Sequence, residues 1–93
     1  MSINLIEQLR EKIDVVDIRL LDLLRERIKI SAQIGEIKQI ENTPVIDSAR
    51  EENLFAVLEK EASARNLDAG FVRNIWQEIL KQSYRAQTEE RLK

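Results

Sequence analysis

Cysteine and histidine are both absent from this chain of 93 residues. Without cysteine there are no disulfides and no thiolate metal sites, so a reducing compartment, the cytoplasm, is the expected setting. Without histidine the commonest metal ligand and the commonest neutral-pH general base are missing. No metal and no cofactor are expected. Glycine occurs twice and proline once, which leaves few breakpoints, and β-branched alternation is missing throughout. The fold class is therefore all-α. Aromatic residues are scarce, and of the few present Phe71 and Trp76 are expected in the core. No stretch approaches the length of a transmembrane span. The opening residues Met1 to Glu7 have neither a basic leader nor the apolar run of a signal peptide. A net charge of −2, with fifteen basic residues interspersed among seventeen acidic ones, argues against a nucleic-acid surface and for solvated helix faces. The chain reads as one small domain, residues 1–93, near the lower limit of what a single core stabilises.

What is present is a long aliphatic stripe with one fault in it. At alternating steps of three and four stand Ile6, Leu9, Ile13, Val16, Leu20, Leu23, Arg27, Ile30, Ile34 and Ile37. That spacing buries one helical face against a partner. A guanidinium on such a seam is costly unless an anion sits opposite it. The anion is either a carboxylate of the protein or a carboxylate of a ligand.

The pattern predicts three helices, over about 4–40, 48–64 and 68–90. The first is capped by Asn4 or Ser2, and Gly35 lies inside it, where a missing side chain makes room for something. Pro44 biases Thr43 away from helical geometry and stops it. The second begins near Asp47 or Ser48, where Ser48-Ala49-Arg50-Glu51 fits a capping box. The third is capped by Asp68 and carries Val72, Trp76 and Leu80 on one face. At about 1.5 Å per residue the first helix spans roughly 55 Å and the second only about 26 Å. Two short helices cannot cover both ends of so long a stripe. A second copy laying its own long helix alongside would do so, giving an intertwined helical-bundle homodimer.

Other polar residues fall on inward faces. Arg10 and Lys38 flank the stripe. Lys38 lies three turns beyond Arg27, on nearly the same side and about 16 Å along the axis. Arg10 is roughly 25 Å from Arg27 on the same rod, so a small ligand touching both takes Arg10 from the other chain. Continuing the register of the third helix past Leu80 gives Ser83 and Gln87, a hydroxyl and an amide. Asp47, Arg50 and Glu51 share the first turn of the second helix. If all eight converge, cations exceed carboxylates by two, which suits a dianion.

Each of these also has a plain structural reading. Arg10 and Lys38 can be flanking charges whose stems cover the seam. Arg27 can pair with Glu51. Asp47 and Glu51 can be capping and dipole residues, and Ser83 and Gln87 can mark a fraying helix end. A general acid–base role for the two carboxylates is not expected, because the surrounding cations hold both ionised.

Five stretches carry a resemblance. They are Leu9-Arg10-Glu11-Lys12-Ile13-Asp14 with Asp17, Leu23-Leu24-Arg25-Glu26-Arg27, Ile34-Gly35-Glu36-Ile37-Lys38, Pro44-Val45-Ile46-Asp47-Ser48-Ala49-Arg50-Glu51, and the Ser83 and Gln87 pair. In this order and spacing, over nearly the whole chain, they resemble the all-helical (type II) chorismate mutases. The resemblance implies a Claisen rearrangement of chorismate to prephenate in phenylalanine and tyrosine biosynthesis, without cofactor or covalent intermediate. It implies that Arg27, with Arg10 of a second subunit, binds the substrate carboxylates, and that Lys38 and Gln87 hydrogen-bond its ether oxygen. Glu51 and the backbone near Asp47 would contact the ring hydroxyl, with Arg50 and Ser83 orienting the substrate. Two rivals are an isochorismate-pyruvate lyase on the same scaffold and a non-catalytic helical dimerisation or regulatory module.

Overall fold

The structure, a computed structural model, describes residues 2–91, with side chains over 4–89. It consists of three helices, α1 over Ser2–Glu41, α2 over Ser48–Ala64 and α3 over Ala69–Arg91. Among the described residues there is no strand, and no helix is long and apolar enough to cross a membrane.

Both interhelical breaks are made by asparagine. The amide of Thr43 bonds the carbonyl of Lys38 (2.8 Å) and that of Asn42 bonds Gln39 (3.2 Å), while Asn42 sits at φ 58°. This is a Schellman closure with asparagine in the left-handed position usually given to glycine. The end of α2 repeats it, with Leu67 bonding Ala62 (2.9 Å), Asn66 bonding Ser63 (3.2 Å) and Asn66 at φ 57°. The first helix is thus already closed by Asn42, before Pro44 acts.

The starts of α2 and α3 are set by aspartates. Asp68 Oδ2 accepts from the amide of Phe71 at 2.8 Å, the expected cap of α3. At α2 the cap is Asp47, whose Oδ1 accepts from the amide of Arg50 at 3.0 Å. The expected capping box from Ser48 is therefore corrected: Ser48 is already helical, and the carboxylate one residue earlier takes the orphan amide. Asn4 does not cap α1 either, because the helix has begun by Ser2. The side chain of Ser2 lies outside the described residues.

The middle helix in space is α3. It packs against both α1 and α2, and among the described residues α1 and α2 make no close backbone approach to each other. Along their contact α1 and α3 run parallel: Leu24 and Ile28 lie by Glu78 and Ile79, and Gly35 lies by Gln87. A Cβ built on Gly35 would stand 2.5 Å from the Cα of Gln87 and 2.8 Å from its carbonyl oxygen. The space that this glycine leaves is filled by the backbone of α3.

The chain is elongated. Its radius of gyration is 17.3 Å and its long dimension 61 Å, against about 12 Å expected for a compact domain of this length. The cause is α1, whose residues from Asn4 to Glu26 are all exposed. Ile13, Leu20 and Leu23 are 58%, 53% and 60% accessible. Among the described residues the buried hydrophobic side chains are Ala62, Val72 and Leu80, and the buried polar ones Ser31, Ser83 and Gln87. A single chain therefore has a very small core with as much polar as apolar character. Phe71, expected in that core, is 57% exposed, while its neighbour Val72 takes the buried position on α3. Trp76 is half-buried.

Candidate active site

Seven of the eight residues singled out in the sequence line one cavity of about 200 Å³ between the three helices: Arg27, Lys38, Asp47, Arg50, Glu51, Ser83 and Gln87. The eighth, Arg10, does not. It lies on the exposed part of α1, ion-paired to Glu7 at 2.8 Å.

The wall from α1 presents Arg27, Ser31, Ile34 and Lys38 at helical spacing. Arg27 donates a hydrogen bond to Ser83 Oγ of α3. Among the described residues no carboxylate lies within ion-pair distance of it. The structural pair with Glu51 is not formed. Burial, and next the neighbouring charge of Arg50, lower the pKa of Arg27 from its ordinary value. The part-buried cation thus has no carboxylate partner within the chain's described residues, although a guanidinium stays protonated in a protein.

Lys38 reaches the same cavity from the last turn of α1. Its Nζ donates to the carbonyl of Val45 at 2.6 Å and to Gln87 Oε1 at 3.0 Å. Both acceptors are neutral, so the ammonium is positioned by dipoles and keeps its charge for a third partner. The Val45 bond also ties the α1–α2 connection to α1. Gln87 is 6% exposed and Ser83 3%, which excludes a frayed helix end for either. The close approach at Gly35 sets how deeply Gln87 enters.

The first turn of α2 brings Asp47, Arg50 and Glu51. Asp47 spends one carboxylate oxygen on the helix cap, so its capping role and its place in the cavity coexist. Glu51 and Tyr84 line the same cavity, close enough for the carboxylate to act on the phenol. Burial first, and then Glu51, push the Tyr84 pKa up to about 12. The phenol is a neutral donor at physiological pH.

Sequence reasoning missed two polar members, Ser31 and Tyr84. Ser31 was legible: it lies one turn after Arg27 on the inward face and is 5% exposed. Tyr84 was not, because its nearness to Glu51 depends on how α2 crosses α3. Ile34 and Leu80, with Val45 and Leu54, supply the apolar lining. Counting side chains, the single-chain cavity holds the cations Arg27, Lys38 and Arg50 and the carboxylates Asp47 and Glu51. Its excess is positive, and its two central cations have neutral partners.

A sequence model of the family described as chorismate mutase type II matches residues 9–88. A T-protein of Enterobacter agglomerans is 32% identical over 85 residues, covering 91% of this chain and 23% of that protein. A bifunctional chorismate mutase/prephenate dehydratase of Escherichia coli K12 is 37% identical over 82 residues, or 88% of this chain and 21% of the relative. A 4-amino-4-deoxychorismate mutase of Streptomyces pristinaespiralis is 29% identical over 84 residues, covering 90% of this chain and 65% of the relative. The chain thus spans less than a quarter of the length of the first two relatives. The match to the family covers most of its own length, and the chain belongs to the type II chorismate mutase family.

Proposed function

We propose that this chain is a chorismate mutase, an isomerase that converts chorismate to prephenate at the cavity between its helices. The observation that carries the reading is the pair Arg27 and Lys38: two cations in one cavity, each held by neutral acceptors. Such a pair is poised for an anion from outside the chain.

Chorismate is a flexible dianion that must fold into a compact chair before its C–O bond breaks and its C–C bond forms. Arg27 takes one carboxylate, and clamping the ends selects the reactive conformer. As the C–O bond lengthens, negative charge gathers on the ether oxygen. Lys38 and Gln87, already bonded to each other, present donors to that oxygen and bind the transition state more strongly than the ground state. Glu51 and the backbone near Asp47 receive the ring hydroxyl, and Arg50 and Ser83 orient the substrate. Ile34 and Leu80 exclude water, which strengthens these contacts. No residue is asked to transfer a proton or form a covalent bond.

The second carboxylate is assigned to Arg10 of a second copy. The apolar face of α1 from Leu5 to Leu24 is exposed in one chain, far more than a stable monomer leaves in water. A two-fold homodimer in which the long helices cover each other removes that exposure and carries Arg10 into the partner's cavity. With it the cationic excess reaches two, matching the dianion. The reaction belongs to phenylalanine and tyrosine biosynthesis and is placed in the cytoplasm.

The deciding experiment incubates the purified protein with chorismate, and separately with isochorismate, and identifies the products. Prephenate is expected. Salicylate from isochorismate with no prephenate would replace this reading by the lyase, and no turnover of either would leave a helical dimerisation module.

A further inference from the structure

Ser31 is a buried hydroxyl with nothing in the chain to bond. It is 5% exposed and lines the cavity from α1, one turn beyond Arg27. The other buried polar residues of the cavity have partners: Ser83 accepts from Arg27, and Gln87 accepts from Lys38. Among the described residues the Ser31 side chain makes no hydrogen bond, not even to the carbonyl one turn back that a helical serine often uses. An unpartnered buried hydroxyl is costly, and native proteins keep few of them. Serine is also a poorer helix former than alanine. For folding alone, alanine would serve better here.

We infer that Ser31 is a further substrate-binding residue, whose hydroxyl donates to the same substrate carboxylate that Arg27 holds. The inference rests on the function proposed above. The packing of α1 on α3 fixes which end of the substrate it meets. Gly35 lies against Gln87 and the two helices run parallel there. One turn earlier on each helix, Ser31 is therefore level with Ser83, and Ser83 is where the Arg27 guanidinium is bonded. Side chains on a helix lean back over the preceding turn, which carries the Ser31 hydroxyl toward Arg27 and away from Lys38. A carboxylate offers about four acceptor sites, more than the fork of one guanidinium fills. A hydroxyl takes one of them without adding a fourth cation beside Arg27, Lys38 and Arg50. A hydrogen bond to an ionised oxygen is also about twice as strong as one between neutral groups. The hydroxyl that folding leaves unpaired is thus paired by the ligand.

The test is Ser31→Ala, measured for turnover and for stability. KM for chorismate is expected to rise about tenfold, as for a lost hydrogen bond to a charged group. The carboxylate is bound alike in ground and transition states, so kcat should change less than about threefold. The urea midpoint should stay where it is or rise, because no partner within the chain is lost. An unchanged KM would overturn the inference. So would a KM increase accompanied by a lower midpoint, which marks a serine that holds the fold. A crystal structure with prephenate bound should place Ser31 Oγ within hydrogen-bond distance of the carboxylate on Arg27. A hydroxyl turned to a carbonyl of α1 in that complex would equally refute it. An active wild type with an unaltered Ser31→Ala removes this inference alone, whereas a wild type that does not turn over chorismate removes the proposed function and the inference together.

Discussion

Gly35 of α1 and Gln87 of α3 meet backbone against backbone, with 2.5 Å between the Cα of Gln87 and the place where a Gly35 side chain would begin. Gln87 also accepts from Lys38 at 3.0 Å. The glycine is therefore the element of the fold that sets the distance between an ammonium on one helix and an amide on the next.

Gly35→Ala tests this directly. Alanine favours the helix by roughly 1 kcal/mol, but its Cβ meets main-chain atoms, which cannot move as a side-chain tip does. Overpacking of this kind costs about 1–3 kcal/mol, so a net loss is expected in the urea unfolding midpoint. Turnover should fall further than stability, because α3 must shift and take Gln87 off Lys38. A variant as stable and as active as the wild type would remove Gly35 from the account.

Tyr84 carries a pH prediction and is the single tyrosine of the chain. Its pKa is raised from 10 to about 12, chiefly by burial and then by Glu51. Below pH 10 the phenol is protonated in folded and unfolded chains alike, and its contribution is fully present. Above that, the unfolded chain releases the proton while the folded chain retains it to about 12, so stability is lost as pH rises through this window. Tyrosinate absorbance should titrate near 12 in the folded protein and near 10 in urea. The urea midpoint should decline across the same interval, and Tyr84→Phe should reduce that decline.

Ile13 is 58% exposed in the single chain, on the stripe shared with Leu20 and Leu23. If a second copy covers it, Ile13→Glu buries a carboxylate in an apolar seam and blocks association. The variant should sediment as a monomer or lose helicity, and activity should vanish with the dimer. A wild type that sediments as a monomer, with Ile13→Glu fully active, would refute the shared-site arrangement.

How far the sequence announced all this differs by residue. The aliphatic spacing around Arg27 specified α1, because burial of one helical face leaves a period that needs no tertiary information. Asp68 declared itself as a cap, since an isolated carboxylate before a periodic run has one common use. At α2 two candidates, Asp47 and Ser48, stood side by side, and only the backbone angles decide that Asp47 caps. Of the seven cavity residues, Arg27, Ser83 and Gln87 were legible as polar breaks in apolar registers, Lys38 from its place beside the stripe, and Asp47, Arg50 and Glu51 from their grouping in the first turn of α2. Tyr84 broke no register, and its role arises from the crossing of α2 over α3. Phe71 misled for a related reason: hydrophobic character predicts burial only on the face that another element covers, and Phe71 stays 57% exposed beside the buried Val72.

Lys38→Ala should be the most damaging single change to catalysis. It removes the charge aimed at the cavity and strands the Val45 carbonyl and the Gln87 amide. Loss of such a donor costs about 3 kcal/mol of transition-state stabilisation, or roughly a hundred- to thousandfold in kcat. Binding should suffer less, since in the proposed complex Arg27 would still hold a substrate carboxylate. A large rise in KM with kcat intact would assign Lys38 to ground-state binding instead.

Arg10 and Lys38 together provide the sharpest test of how the site is assembled. In one chain Arg10 is tied to Glu7 on the exposed part of α1, while Lys38 lines the cavity with Arg27. Arg10→Ala and Lys38→Ala homodimers should each be nearly inactive. In the proposed arrangement a mixed dimer would contain one site with the Lys38 of the first chain and the Arg10 of the second, and one site lacking both. Random exchange of equal amounts makes half the dimers mixed, so activity should return to about a quarter of the wild-type level. Exchange can be verified by mass spectrometry of differently labelled chains. If exchange is complete and activity does not return, Arg10 acts within its own chain, and the long helix must bend or move to bring it there.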